Sequence, residues 1–227
     1  MTELEAIKAR HAVRNYLDKP IEVDIVDELR CEISRCNEKG KLHLQLITEE
    51  SGAFKTIIPA FGRFKGVKNY IALVIKKGKE NYEACGYYGA KIMIKAQQLG
   101  LNTCWVIGSY NRNGTTADVA AGEELIGVIA IGYGATNGQA HRSKNLEAVC
   151  KPCAKDWFIN GVKAALLAPT GLNKQHFMIE ANENDTTVTF RATDDKPMTQ
   201  IDLGIVKYHF EVASKLTADT LYSIHSL

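Results

Sequence analysis

The segment Leu166-Leu167-Ala168-Pro169-Thr170-Gly171-Leu172-Asn173-Lys174-Gln175 connects two different hydrophobic patterns in the C-terminal half of the chain. Before it, apolar residues recur at helical spacing, and Pro169 cannot continue a helical hydrogen-bond ladder. After it, the run 176–179 is typical of a strand. Residues 168–175, called the turn below, therefore predict a sharp connection from a helix to a strand. Backbone N–H groups, a hydroxyl and two carboxamides there could hydrogen-bond a planar ligand, and an ordinary capped turn is the alternative.

The composition is that of an ordinary soluble globular protein. The chain has 227 residues, of which 45% are hydrophobic and 24% charged, which indicates one large domain or two small ones. A formal net charge of +2 is too balanced to indicate nucleic acid or an anionic membrane as a partner. No apolar run approaches the ~20 residues that span a bilayer, and the acidic N-terminus does not begin a signal peptide. We therefore expect a cytoplasmic protein.

The first 150 residues carry a series of helix and strand patterns. Thr2 and Glu5 have the spacing of a capping box, which predicts a helix over 2–9. Gly100 is placed to end a long helix, and Gly108 to end the strand that follows it. The predicted elements are a helix over 23–37 that stops at Gly40, a half-buried strand through 42–46, a strand over 70–75, a helix over 82–99, a strand over 103–107, a loop with a short helix over 111–125 and a strand over 126–131.

The same order of elements recurs towards the C-terminus. A helix over 155–167 is followed by strands over 176–181 and 186–191, with a hairpin turn at Asn184-Asp185, and by a helix over 199–215. Gly86 and Gly204 occupy matching positions in the two long helices. This order predicts a divergent internal duplication that packs as a pseudo-dimer, although four elements can also recur by chance.

Two basic pairs are candidates for an anion site. Arg10, Ala12 and Arg14 share one face of an extended chain, so two guanidiniums flank a small residue. Such a pair could hold a phosphate or an electron-rich ring edge, and a solvated basic strand is the alternative. Arg142 and Lys144 repeat the two-residue spacing. Two such pairs in one small protein favour an anionic ligand.

The six cysteines predict reduced thiols without a metal site. Cys31, Cys85 and Cys104 lie in apolar segments and are expected in the core. Cys150 and Cys153 have metal-ligand or redox spacing, yet no second pair completes a tetrahedral site. A surface pair without a role is the preferred interpretation, with an opportunistic disulfide or a site shared with another chain left open. No histidine has an evident nucleophile partner, and no nucleophile elbow or Walker loop is present, so we assign no catalytic side chain.

Four segments together resemble the nitroreductase family of FMN-dependent flavoproteins. The turn resembles the family's Ala-Pro-Ser-x-x-Asn-x-Gln-Pro-Trp segment, and residues 10–16 resemble the Arg-x-Ser-x-Arg-x-Phe/Tyr stretch that grips the FMN phosphate and ring. The third segment is Tyr88–Trp105, which resembles the family's central helix with its Leu-Gly-Leu-Gly-Thr-Cys-Trp ending. The fourth is Ile131-Gly132-Tyr133-Gly134, which resembles the family's Gly-Tyr-Pro strand and is followed by the basic pair Arg142 and Lys144.

One departure from the family pattern is large. In the usual member the turn follows the second helix and contacts FMN bound mainly by the other subunit, whereas here that helix ends in 34–40 without it. The turn instead follows the equivalent helix of the repeat, as in the subgroup of single-chain nitroreductases that resemble a fused dimer with one FMN site. Ala12 replaces the family's serine, 176–177 replaces Pro-Trp, and Val106-Ile107-Gly108 lacks a frequent acidic residue.

The resemblance implies an α+β fold with a mixed, mainly antiparallel sheet flanked by helices. It also implies an FMN-dependent NAD(P)H oxidoreductase that reduces nitroaromatic or quinone-like acceptors. Two alternatives are a flavin-binding protein with weak or lost turnover and a remnant that binds no flavin. The chain would act as a monomeric pseudo-dimer or a homodimer, with a nitroreductase-like part over 1–150 and a divergent repeat over 151–227. The implied FMN-binding residues are Arg10, His11, Ala12, Arg14, Gly108, Arg142, Lys144, Pro169, Thr170 and Asn173.

Overall fold

Helices and strands alternate along the chain in the computed structural model, which describes residues 1–55, 64–182 and 186–216. The helices in these ranges are α1 (Glu3–Ala9), α2 (Val23–Gly40), α3 (Lys79–Gln98), α4 (Asp156–Ala165) and α5 (Pro197–Ser214). The strands are β1 (Gln45–Ile47), β2 (Asn69–Lys76), β3 (Asn102–Val106), β4 (Glu123–Gly132), β5 (Phe177–Ala181) and β6 (Val188–Ala192).

The strands form two antiparallel sheets. One has the order β1-β2-β4-β3, and β5 and β6 form a separate pair. The expected α+β class with a mainly antiparallel sheet is confirmed. No helix in the described ranges is long and apolar enough to cross a membrane.

The side chains of β2 divide the core of the larger sheet into two faces. Ile71, Leu73 and Ile75 pack against α2 and α3, whereas Tyr70 and Val74 belong to a cluster on the opposite face. Successive side chains of a strand point to opposite faces, so an unbroken apolar run fits a strand that is covered on both sides.

A further core cluster joins the two parts of the chain. Ile7 of α1 and Met93 of α3 share this cluster with Phe158 of α4 and Phe210 of α5. Its members are fully or almost fully buried. The predicted division at residue 150 stays a prediction, and a common apolar core crosses it.

The long helices α3 and α5 cross at two glycines in a reciprocal manner. A Cβ on Gly86 would overlap the carbonyl oxygen of Ile201, three residues before Gly204, and a Cβ on Gly204 would overlap the carbonyl oxygen of Glu83, three residues before Gly86. Only glycine permits this approach of the two backbones. The match of the two glycines, noted in the sequence, corresponds to a helix crossing, and the duplication itself stays a prediction.

The N-terminal capping box is confirmed. The Oγ1 of Thr2 accepts a hydrogen bond from the Glu5 backbone N–H at 3.2 Å, and Glu5 Oε2 accepts one from the Thr2 N–H at 2.8 Å. Two orphan donors of the first turn are thereby satisfied.

Three details differ from the sequence predictions. Cys31 is exposed, because it lies on the outer face of α2, and Cys36 of the same helix is buried instead. The helix includes Gly40 and ends at Lys41, which adopts φ 51°. The short helix expected in 111–125 is a single 3₁₀ turn at Arg112–Gly114.

The chain on both sides of that 3₁₀ turn is fixed by neighbours instead of by its own helical bonds. The backbone N–H of Asn111 donates to Ala53 O at 2.8 Å, and that of Thr116 donates to the Tyr70 hydroxyl at 3.1 Å. These bonds satisfy the backbone from outside, so no further helical turn is needed. The predicted hairpin turn at Asn184-Asp185 lies outside the described residues.

Candidate functional site

The stretch 10–16 runs in an extended conformation from the end of α1 to the edge of the larger sheet. The Arg10 N–H donates to Ala6 O, which ends the helix, and Ala12 forms a parallel bridge with Thr103 at the start of β3. Ala12 and Arg14 are exposed, as expected for residues on one face. Arg10 is 3% exposed and does not share that face, because it still caps α1 when the extended stretch begins.

The buried guanidinium of Arg10 lacks a full set of partners. Its Nε has no hydrogen-bond partner among the described residues, and burial lowers the pKa of Arg10 to about 10. Burying an ionised group without an opposite charge costs several kcal/mol in general. A bound anion would remove that cost.

The linker, residues 139–144, lies between the stretch and the end of α4. The Leu166 carbonyl is within 2.9 Å of His141 Nε2 and accepts a hydrogen bond from Ser143 Oγ at 3.1 Å. Just before the linker, Gly138 approaches the stretch so closely that a Cβ there would lie 2.9 Å from the Cβ of His11. Burial, Arg10 and His141 together lower the pKa of His11. The linker thus brings basic groups from distant parts of the sequence together.

Gln175 fixes the turn to the linker. It is 2% exposed, and its Nε2 donates to Arg142 O at 3.0 Å, while its Oε1 accepts from the Lys144 N–H at 2.8 Å. The Gln175 carbonyl accepts from Lys144 Nζ at 3.0 Å. Asn173 adds a bond from Nδ2 to Arg142 O at 2.8 Å, and Thr170 Oγ1 accepts from the Gln175 N–H at 3.0 Å. A buried glutamine with its polar atoms engaged holds two loops in one geometry.

The backbone of the turn is strained. Leu172, Asn173 and Gln175 have φ values of 52°, 54° and 48°, in the left-handed region that non-glycine residues rarely occupy. The Gly171 N–H donates to Asp202 Oδ2 at 2.8 Å. Burial raises the pKa of this Asp202 carboxyl to about 7. Strained residues held by surrounding hydrogen bonds are common at binding sites.

The structure brings most of the candidate residues together, with one exception. His11 and Ala12 contact the segment that leads into the linker, and Arg142 and Lys144 of the linker bond the turn that carries Pro169, Thr170 and Asn173. Gly108 lies past the other end of β3, five residues from the bridge at Thr103, which corresponds to about 16 Å along a fully extended chain. It is exposed, has φ 98° and has open space around its missing Cβ.

The site carries unneutralised positive charge. Within residues 1–55, 64–182 and 186–216, none of the four basic side chains Arg10, Arg14, Arg142 and Lys144 forms a salt bridge. This donor set suits a phosphate.

Two residues of the site were not among the sequence candidates, His141 and Asp202, while Gln175 was expected only as one of the two carboxamides of the turn. A signal existed for Asp202, since a carboxylate in an otherwise apolar helical pattern needs a local partner. None existed for His141, whose contact depends on how the linker folds back.

The other motif singled out in the sequence contributes nothing to this site. Cys150 and Cys153 are free thiols of intermediate exposure that pack beside the cluster shared by α3, α4 and α5. Burial raises the pKa of Cys150. Among the described residues, no group of three or more His, Cys, Asp or Glu is placed to hold a metal ion.

The fold defines a protein of the nitroreductase-like class. A protein from Thermotoga maritima, described as a "putative nitroreductase", is 19% identical and matches 94% of this chain and 83% of its own, with a TM-score of 0.64. A "Putative NADH dehydrogenase/NAD(P)H nitroreductase" from Bacteroides thetaiotaomicron is 19% identical, over 65% of this chain and 95% of its own, with a TM-score of 0.52. A "putative nitroreductase in complex with fmn" from Desulfovibrio desulfuricans is 18% identical, over 67% and 98%, also with a TM-score of 0.52. At these identities the likeness shows the fold.

The family follows from the sequence. The family model described as "Putative TM nitroreductase" matches residues 3–214. The chain therefore belongs to this nitroreductase family, and the predicted resemblance is confirmed. No curated protein matches the sequence significantly.

Proposed function

We propose that the chain binds FMN where the stretch, the linker and the turn meet, and that it is an FMN-dependent NAD(P)H oxidoreductase acting on nitroaromatic or quinone-like acceptors. The buried guanidinium of Arg10, with no carboxylate partner among the described residues and an unpartnered Nε, carries this proposal. A phosphate beside it would supply both the missing charge and the missing acceptor. The solved relative in complex with FMN supports the choice of cofactor.

The basic residues would bind the anionic parts of the cofactor. Arg142 and Lys144 are held against the turn, Arg10 is buried at the end of α1, and Arg14 is exposed on the outer face of the stretch. Their charges would neutralise the phosphate and the negative charge of the reduced ring. Ala12 has no hydroxyl, so a hydroxyl contact to the flavin from the serine of the family pattern is lost at this position.

The turn retains hydrogen-bonding capacity for a planar ring. Thr170 uses its Oγ1 as an acceptor, which leaves its O–H free to donate. Asn173 uses one N–H and accepts one bond, so a second N–H and a lone pair remain. Gly108, if the ring reaches it, would allow a close approach of the backbone, because no side chain occupies that position.

When bound, FMN supplies the electron-transfer chemistry between a reduced nicotinamide and an acceptor. The residues of the chain then need only bind and orient. Gln175 fixes the linker against the turn, so the cationic groups are held before the cofactor arrives, and preorganised charge lowers the cost of binding. No acid–base dyad is required.

Purification and steady-state kinetics test this function. A yellow protein with stoichiometric FMN, and an NADH or NADPH oxidation rate that depends on menadione or nitrofurazone, is expected. Bound FMN without an acceptor-dependent rate would favour the alternative, a flavin-binding protein with weak or lost turnover. The loss of a hydroxyl at Ala12 is in line with that alternative. A colourless protein that takes up no added FMN would contradict both.

A further inference from the structure

His209 is a fully buried histidine that the proposed function does not use. It lies on α5, is 0% exposed, and its Nδ1 is 2.9 Å from the Ile205 carbonyl oxygen. A carbonyl accepts only, so Nδ1 carries the proton and Nε2 of the neutral ring is an acceptor. That Nε2 has no hydrogen-bond partner among the described residues.

Arg10 contributes a second unpartnered buried atom in the same region. Its Nε is a donor without a partner in the described ranges. Arg10 follows α1 directly, and Ile7 of α1 shares a core cluster with Phe210, the neighbour of His209. Burial first, and then Arg10 and His141, bring the pKa of His209 to about 3. Buried polar atoms are rarely left without partners, so two of them together indicate a ligand.

The charged neighbours of His209 are of one sign. Arg10 comes from the end of α1 and His141 from the linker. Two carboxylates face α5 from other helices, and each bonds another residue of α5: Glu3 of α1 accepts from Tyr208, and Glu83 of α3 pairs with Lys207. The carboxylate of Glu211, on α5 itself, accepts from Tyr87 of α3. The hydrogen bond to the Ile205 carbonyl favours the charged form of His209 but does not offset burial, and an added anion would favour that form further.

We propose that His209 is a second anion-binding residue behind Arg10, and that it takes up one proton from solvent when a phosphomonoester binds there. This inference rests on the proposed function for the identity of the ligand, because the phosphate would be that of FMN. The proton moves from solvent to Nε2, and Nε2–H then donates to a phosphate oxygen. No bond to phosphorus forms or breaks.

The direction of proton exchange separates His209 from the ligand itself. A phosphomonoester has a second pKa of about 6 and is mostly a dianion at pH 7. Pairing with Arg10 favours the dianion further, so the ligand can only release protons. Net uptake at pH 7 therefore identifies a group of the protein.

Calorimetric titration at pH 7 in buffers of different ionisation enthalpy measures the protons exchanged. The ligands are FMN, inorganic phosphate and riboflavin, which lacks the phosphate. The proteins are the wild type, His209→Gln, and His43→Gln as a matched control, since His43 lies at the start of β1 and bonds Glu123. We expect about half a proton or more to be taken up with FMN, less with inorganic phosphate, because a larger share of that ligand is still the monoanion at pH 7 and loses its proton on binding, and none with riboflavin. The uptake should be lost in His209→Gln alone.

Absence of uptake in the wild type, or its retention in His209→Gln, would overturn the inference. If the variant does not fold, ¹⁵N NMR of the wild-type histidines replaces it. His209 should stay neutral down to pH 5 without ligand and become protonated near pH 7 with phosphate, and a ring that stays neutral contradicts the inference. If FMN binds without proton uptake, the role of His209 is refuted and the proposed function is not. If inorganic phosphate causes uptake but FMN does not bind, the proposed function is refuted and the role of His209 is not.

Discussion

At the scale of single residues, the burial of Arg10 is expected to lower the stability of the fold. It is 3% exposed, and its charge has no opposite charge beside it in the described residues. An apolar side chain of similar length would avoid the desolvation cost. A residue that destabilises the free protein is expected to improve binding, since stability and function often oppose each other at a site.

Arg10→Met is therefore expected to raise stability and to weaken FMN binding. The free energy of unfolding of the flavin-free protein should rise by about 1–3 kcal/mol. The FMN dissociation constant should increase about 10- to 100-fold, because hydrogen bonds to a charged group are lost. Urea unfolding and flavin fluorescence titration measure the two effects.

Arg30→Met is the matched control. Arg30 pairs with Asp27 on the exposed surface of α2, where ion pairs contribute little. Neither measured quantity should change appreciably. A less stable Arg10→Met protein with unchanged FMN affinity would contradict the role given to Arg10.

Asp202 gives the fold a dependence on pH. Its pKa is raised to about 7 by burial, so between roughly pH 4 and 7 the folded state binds more protons than the unfolded state. Stability contributed by this carboxyl is present at low pH, falls as pH rises through that window and is constant above it. Asp202→Asn keeps an acceptor for the Gly171 N–H, removes the charge and should stabilise the protein at pH 8 by about 1–4 kcal/mol.

Asp194 provides a control of opposite sign. Hydrogen bonds from Thr199 and Lys196 lower the pKa of its carboxyl to about 2, so its contribution is present above about pH 4 and is lost as pH falls through about 2. Asp194→Asn should destabilise at both pH 6 and pH 8, and less at pH 8, because Asp194 also helps to raise the pKa of Asp202. Urea unfolding at pH 5, 6, 7 and 8 measures both variants, and an unchanged pH slope in Asp202→Asn would refute the assignment.

At the scale of elements, the crossing of α3 and α5 is fixed by contact between two backbones. Gly86 and Gly204 each face a carbonyl oxygen of the other helix, at equivalent positions. Such reciprocity is what a two-fold relation between the helices requires, so it supports the proposed duplication. The crossing positions α5, and with it His209 and Asp202, against the N-terminal part of the chain.

Gly86→Ala should destabilise the protein even though alanine favours helix by about 1 kcal/mol. The added methyl group overlaps the Ile201 carbonyl oxygen, a backbone atom that cannot move aside, and overpacking costs about 1–3 kcal/mol or more. Gly40→Ala is the comparison, because there the obstacle is the ring of Tyr88. Thermal unfolding should show a clearly larger loss for Gly86→Ala, and equal losses would contradict the backbone contact.

The sequence predicts elements well where periodicity and caps agree. The capping box at Thr2 and the apolar run of β2 each have a local cause, and both are present in the structure. The burial of Arg10 could not be predicted, because it depends on where α1 ends relative to α5. The bonds from Gln175 to the linker also join residues about 31–33 positions apart, and local pattern carries no information about them.

At the scale of the whole molecule, the lengths of the related structures support two unequal parts. Two thirds of this chain corresponds to nearly the full length of the Bacteroides thetaiotaomicron and Desulfovibrio desulfuricans proteins, whereas the Thermotoga maritima protein corresponds to 94% of it. We propose that the remaining third is the divergent repeat, which carries the turn. The core cluster shared by α1, α3, α4 and α5 would then replace a subunit interface.

This arrangement predicts one FMN per chain. The stretch and the linker occur once, and the turn that bonds them also occurs once, because α2 ends at Lys41 without an equivalent segment. Flavin absorbance after denaturation, divided by protein concentration from amino-acid analysis, gives the stoichiometry, and light scattering gives the mass of the particle. We expect one flavin per chain whether the particle is a monomer or a dimer, because each chain contains both halves of the pocket. Two flavins per chain would show that the repeat kept its own site, and one flavin per two chains would contradict a complete pocket for every chain.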